Sequence, residues 1–94
     1  MRKIKEIARI LAETNDEKAI EKFLKSILTE KEINDISSRW ELVKMLDLGI
    51  SQRKIAEKLG LSLCKITRGS RELKKKDSSF KKMIDGFNEI STGR

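Results

Sequence analysis

Gln52-Arg53-Lys54-Ile55-Ala56-Glu57-Lys58-Leu59-Gly60-Leu61-Ser62-Leu63-Cys64-Lys65-Ile66-Thr67-Arg68-Gly69-Ser70-Arg71 reads as two short helices joined by a tight turn, a helix-turn-helix. Ala56 is small where the second helix must cross the first closely, and Gly60 permits the positive φ of the turn. Ile55, Leu59, Leu61 and Ile66 recur at the positions that face a shared core. These are packing requirements, so they speak to the fold first. A helical hairpin that never touches nucleic acid satisfies them equally.

Outward from this stretch the periodicity stays helical. Ile4, Ile7, Ala8 and Leu11 form a first stripe, and Thr14 and Glu17 stand at capping-box spacing before a second helix that runs through Leu28. The stripe of that helix is Ala19, Ile20, Phe23, Leu24, Ile27 and Leu28. Thr29 and Glu32 repeat the capping-box spacing and open a third helix, about 18 residues long, with Ile33, Ile36, Trp40, Val43 and Leu46 on one side until Gly49 closes it. Ser51 caps a fourth helix that stops at Gly60, Ser62 caps a fifth, and Asp77 or Ser78 caps a sixth carrying Phe80, Met83, Ile84 and Phe87. The tail from Ser91 to Arg94 reads as frayed. With no Pro, no Tyr and no β-branched runs, the expected class is all-α: six helices in one domain over residues 1–94. A chain this short buries only roughly 60–65% of its unfolded surface, so dimerisation is a remedy for a marginal core. Either a self-contained bundle or intertwining with a second copy hides the stripes.

Charge gives the first functional information. Residues 1–48 carry ten basic and ten acidic side chains, whereas residues 49–94 carry twelve and five, so the whole net charge of +7 lies in the second half. Between Ser51 and Lys82 there are eleven basic residues and three acidic ones, including the run Lys74-Lys75-Lys76. That bias points to a polyanionic partner, a nucleic acid or an anionic membrane surface; a merely solvated basic face is the plain alternative. Cys64 is the sole cysteine and there is no His, which excludes an internal disulfide and leaves no credible zinc site. No apolar run approaches membrane-spanning length, and acids and bases interrupt everything after Met1-Arg2-Lys3, so a cytoplasmic protein with no membrane partner is expected. With no His, no glycine-rich phosphate loop and no nucleophile elbow, an enzyme is not expected.

On a duplex, Ser51, Gln52 and Arg53 stand at a helix N-terminus, where free N–H groups, an amide and a guanidinium grip phosphate. Leu63, Cys64, Lys65 and Thr67 open the second helix of the motif, whose N-terminal end enters a major groove. Leu63 and Cys64 offer apolar contact, and Lys65 and Thr67 offer polar readout, so shape-based and water-mediated recognition should count. For Cys64 a plain packing role is the alternative. The expected DNA-contacting set is Gln52, Arg53, Ala56, Leu63, Cys64, Lys65, Thr67 and Lys74. Gly69 breaks the pattern, because a mid-helix glycine costs roughly 1 kcal/mol relative to alanine. Close backbone access beside Arg68, whose guanidinium can clamp a carboxylate, is one explanation; a glycine kink and a phosphate-binding arginine is another.

Ile66-Thr67-Arg68-Gly69-Ser70, preceded by Ser51-Gln52-Arg53 and the Leu59-Gly60 turn, resembles the signature of the tryptophan repressor family. Leu28-Thr29, Glu32 and Arg39 fall in register upstream, and the resemblance covers roughly Phe23 to Phe87. It implies an intertwined, all-helical homodimer whose two heads are set by L-tryptophan, acting as corepressor, to fit successive major grooves. That family is itself a standard instance of such docking. Carried over by position, Arg39 and Arg68 would flank the indole, with Arg68 also holding the carboxylate. Gly69 would let the ligand lie against the helix, and Ser26, Leu28 and Thr29 would close the far side and receive the ammonium group. Glu72 stands where the family has a small hydroxyl near the amino group and would attract it; Lys65 replaces a hydroxyl residue on the reading face and would add non-specific affinity. From spacing alone, an ion pair with Asp35, four residues earlier on the same helix, is the preferred reading of Arg39. Trp40 reads as core or dimer interface.

The function so implied is a tryptophan-dependent repressor of tryptophan biosynthesis or uptake genes, binding a palindromic operator with half-sites about one turn apart. A ligand-independent helix-turn-helix protein and an RNA-binding or protein-interaction module are the alternatives.

Overall fold

The computed structural model describes residues 1–92 and, among them, is built of α-helix without strand. The order is α1 (Ile4–Glu13), α2 (Glu17–Ile27), α3 (Glu30–Asp47), α4 (Gln52–Leu59), α5 (Leu63–Lys74) and α6 (Ser79–Thr92). The all-α class and the helix-turn-helix are as the periodicity requires. The chain divides into two compact units, residues 1–34 and 35–94, with the division inside α3.

In the first unit the termini of the helices are set by side-chain chemistry. Thr14 closes α1: its N–H donates to Ile10 O at 3.1 Å and its hydroxyl to the same carbonyl at 2.7 Å. The capping box expected between Thr14 and Glu17 is therefore not formed. Asp16 caps α2 instead, its Oδ1 accepting from Lys18 N at 3.0 Å and Ala19 N at 3.4 Å. A carboxylate two residues closer is the stronger acceptor, and it complements the helix dipole. The second box does form: Glu32 N donates to Thr29 Oγ1 at 3.1 Å, and Thr29 N donates to Glu32 Oε1 at 2.9 Å. On the outer face of α2, Lys25 and Glu21 pair at 2.8 Å, which lowers the Glu21 pKa and raises that of Lys25. Neither α1 nor α2 buries a residue. Ile7, Leu11, Ile20, Phe23 and Leu24 are half-buried, and Ile4, Ile10 and Ile27 are exposed.

The second unit holds the core: Leu42, Val43 and Met45 from α3, Ile55 from α4, Ile66 from α5 and Ile84 from α6. Trp40, Leu46, Ala56, Leu59, Leu61 and Phe80 pack around it, half-buried. The single stripe expected along α3 is only partly right, because Ile36 is 43% exposed whereas Leu42 and Met45, off that stripe, are buried. The C-terminal half of α3 is covered on more than one side, so a one-sided period no longer describes it.

The motif begins where Ser51 Oγ accepts from Lys54 N at 3.2 Å. It turns at Gly60, whose φ of 64° is the left-handed conformation the turn demands. Both Gly60 N, at 2.9 Å, and Leu61 N, at 3.3 Å, donate to Ala56 O, and Ser62 Oγ then accepts from Lys65 N at 3.4 Å to open α5. Of the two residues proposed to cap α6, it is Ser78 that does so. Its buried hydroxyl donates to Glu72 O at 2.8 Å and accepts from Lys81 N at 3.1 Å, tying the end of α5 to the start of α6. Asp77 precedes it at φ 60°. Lys81 ties α6 to α3, its Nζ lying 2.7 Å from Asp47 Oδ1 and 3.0 Å from Asp85 Oδ1. The helix of α6 runs through Ser91 to Thr92 where a frayed tail is expected, Ser91 Oγ donating to Asn88 O at 3.3 Å; Gly93 and Arg94 lie outside the described residues.

Candidate nucleic-acid interface and adjoining cavity

The two helices of the motif leave one continuous exposed surface. Ile55 and Ile66 are fully buried where α4 and α5 pack, so the opposite side of α5 must face solvent. Leu63, Cys64, Lys65, Thr67, Arg68 and Arg71 are all exposed, Leu63 by 58% although it is apolar. Thr67 Oγ1 donates to Gln52 Oε1 at 3.5 Å, linking the start of α4 to this face of α5. Gln52, Leu63, Cys64, Lys65 and Thr67 are thus gathered around the two N-termini, together with exposed Arg53. Ala56 is half-buried against the core, serving the crossing of α4 and α5, and Lys74 is exposed in the last turn of α5.

Behind α5 lies a cavity of about 350 Å³ lined by Arg39, Leu42, Val43, Lys65, Arg68, Gly69, Glu72 and Phe80. Arg39, Arg68, Gly69 and Glu72, drawn together from α3 and α5, are thereby neighbours; Ser26, Leu28 and Thr29 belong to the first unit. The wall is apolar in Leu42, Val43 and Phe80 and charged around them. Among the described residues neither Arg39 nor Arg68 forms an ion pair, so the Arg39–Asp35 pair that spacing allows is not made. Both guanidinium groups keep their donors for another partner. Glu72, by contrast, accepts from Lys75 Nζ at 3.0 Å.

Lys65, expected only on the reading face, also lines the cavity, and Leu42, Val43 and Phe80 line it without any expectation from sequence. No local signal marks Phe80, which lies on a different helix, but Glu72 in the last turn of α5 and Lys75 at its C-cap stand three apart, where side chains are neighbours. The space beside Gly69 is filled by the protein itself, since a Cβ there would fall on Leu42 Cδ1 and lie 3.3 Å from Val43 Cγ2.

Among the described residues no group of three His, Cys, Asp or Glu side chains could hold a metal ion, and no helix is long and apolar enough to cross a membrane. Two helices crossing over a small alanine, with an exposed and largely basic face on the second, are the parts of a helix-turn-helix head. The profile of the Trp repressor protein family matches residues 2–88. The chain belongs to that family. A Trp operon repressor homolog of Chlamydia trachomatis is 42% identical over 69 residues, covering 68% of this chain and 73% of the relative. The Xylella fastidiosa homolog is 37% identical over 68 residues, 71% of this chain and 74% of its own length, and that of Chlamydia caviae is 38% identical over 71 residues, 74% and 70%. No solved structure matches it. Membership makes this chain a DNA-binding transcription regulator, a repressor and not an enzyme.

Proposed function

We propose that this repressor acts in the cytoplasm as an intertwined homodimer, with residues 1–94 working as one domain. It binds a palindromic operator of tryptophan biosynthesis or uptake genes when L-tryptophan, its corepressor, is bound. The observation that carries the reading is the cavity behind α5. Arg39 and Arg68, which form no ion pair among the described residues, supply with Lys65 the cations for a carboxylate; Leu42, Val43 and Phe80 supply an apolar wall; Glu72 supplies an anion for an ammonium group. A zwitterion with an apolar side chain matches that distribution, and a planar guanidinium stacks on an aromatic face. Family resemblance narrows the ligand to L-tryptophan and adds Ser26, Leu28 and Thr29 to its contacts. Gln52, Arg53, Ala56, Leu63, Cys64, Lys65, Thr67 and Lys74 form the DNA-contacting set, supported by the exposure of the α5 face. The half-covered stripes of α1 and α2 support a second copy as their cover.

The test is binding to a palindromic duplex from a tryptophan-gene promoter at one fixed salt concentration, with and without L-tryptophan and against scrambled DNA. Affinity that rises only for the promoter duplex and only with L-tryptophan is the expected result. Equal affinity with and without it would leave a ligand-independent DNA-binding protein.

A further inference from the structure

We propose that Lys75 is a phosphate-binding residue held in reserve by Glu72 and released when a ligand's ammonium group takes the Glu72 carboxylate. The proposal rests on the reading of the cavity as a corepressor site and of α5 as the DNA-facing helix. Glu72 stands where both surfaces meet: it lines the cavity with Arg39, Arg68 and Gly69, and it also lines a groove on the outer face of α5 with Cys64, Thr67, Arg71 and Lys75. Its Oε1 accepts from Lys75 Nζ at 3.0 Å. One carboxylate therefore faces the ligand space while holding an exposed cation that lines the outer groove and also the hollow beside Trp40 and Phe80.

The pair is weak enough to be exchanged. Glu72 is 45% exposed at its side chain and Lys75 61%, and ion pairs so open to solvent are worth little. An ammonium group already positioned by Arg39 and Arg68 at its carboxylate end pays no further cost of orientation, whereas Lys75 must order a long side chain to compete. Cys64, Thr67, Arg68 and Arg71 follow the i, i+3, i+4 and i+7 positions of one face of α5, and Lys75, the C-cap, comes directly after the last residue of that helix. Lys75 freed from Glu72 extends the basic stripe of that face beyond Arg71, where a phosphate flanking the groove is its natural acceptor. The exchange also works in reverse: DNA that draws Lys75 away leaves Glu72 open for the ligand, so each partner tightens the other.

The number of phosphates neutralised is read from the salt dependence of binding. Affinity for the palindromic duplex is measured over a range of KCl concentrations, with and without L-tryptophan, for the parent protein, Lys75→Met, Glu72→Gln and the double variant. For the parent, L-tryptophan should steepen the slope of log K against log salt, by at most about 0.9 per protomer, and for Lys75→Met it should not. Glu72→Gln should show the steeper slope without ligand, and the double variant should lose it. An equal ligand-induced change in Lys75→Met, with affinity still tryptophan-dependent, overturns the release of Lys75 and leaves the corepressor reading standing. If parent affinity ignores L-tryptophan altogether, the corepressor reading fails and ligand-driven release fails with it.

Discussion

Gly69 of α5 and Leu42 of α3 meet with no room for a methyl group between them: a Cβ on Gly69 would overlap Leu42 Cδ1, and Leu42 is only 2% exposed. Because Leu42 also lines the cavity, the space it can yield into is the proposed ligand space.

Gly69→Ala should therefore cost ligand affinity more than stability. The helix gains about 1 kcal/mol from alanine, overpacking a buried leucine costs about 1–3 kcal/mol, and the net loss should be about 1 kcal/mol in urea unfolding. L-tryptophan binding, followed by calorimetry, should fall at least about tenfold as Leu42 moves into the cavity. Adding Leu42→Ala should cost less than the two single changes together, since the clash is shared. Strict additivity would mean that the close approach is not what glycine is there for.

Arg68→Ala should leave the melting temperature close to that of the parent, because Arg68 is exposed and pairs with no described carboxylate. Its tryptophan affinity should drop by roughly 30-fold or more, the equivalent of losing about 2 kcal/mol in a charge-assisted clamp. Normal tryptophan-induced DNA binding in this variant would remove Arg68 from the proposed site.

The turn between α5 and α6 makes a second pair of stability predictions. Asp77 lies at φ 60°, and its ion pair with Lys82, at 2.6 Å, is exposed on both sides. Asp77→Val should cost about 1–2 kcal/mol through the left-handed backbone, while Asp77→Gly should cost no more than about 0.5 kcal/mol because such a pair is worth little. Equal losses in thermal melts would show that the ion pair, not the backbone, fixes the turn.

Lys81 gives a pH signature. Hydrogen bonds donated by its Nζ to Asp47 first and to Asp85 second raise its pKa above the ordinary value of 10.5. Its folded form thus binds the proton more tightly than the unfolded chain does, so its contribution is complete below 10.5 and fades as pH climbs through the raised value. Lys81→Met should melt below the parent at neutral pH, and the two curves should converge in strong alkali. A gap that stays constant across that range would assign the loss to packing of the lysine stem.

The parts legible in sequence were those governed by local rules. Ser51, Ser62 and the Thr29–Glu32 box cap the helices they should, because capping needs only the residues of one turn. Gly60 sits at the turn for the same reason. Thr14 misled because two neighbouring residues could both serve the break, and the nearer carboxylate won the cap of α2. Around the cavity, Arg68 and Gly69 carried a signal through their unusual adjacency, but Phe80 and Leu42 reach it by the folding of α6 and α3 onto α5, which no local pattern encodes. The second assignment of Lys65 escaped for a related reason: a long side chain at the edge of a helix serves two surfaces, while a one-dimensional reading allots it one.

Trp40 is the single indole of the chain, stacked on Phe80 at 5.9 Å between centroids and edge-on to Phe87 at the same distance. Phe80 is also a wall of the cavity. The protein therefore carries a built-in optical probe one ring away from the proposed ligand space. Its near-ultraviolet dichroism and emission should follow occupancy of that space without any label, and a non-fluorescent indole analogue would let the signal of Trp40 be watched alone.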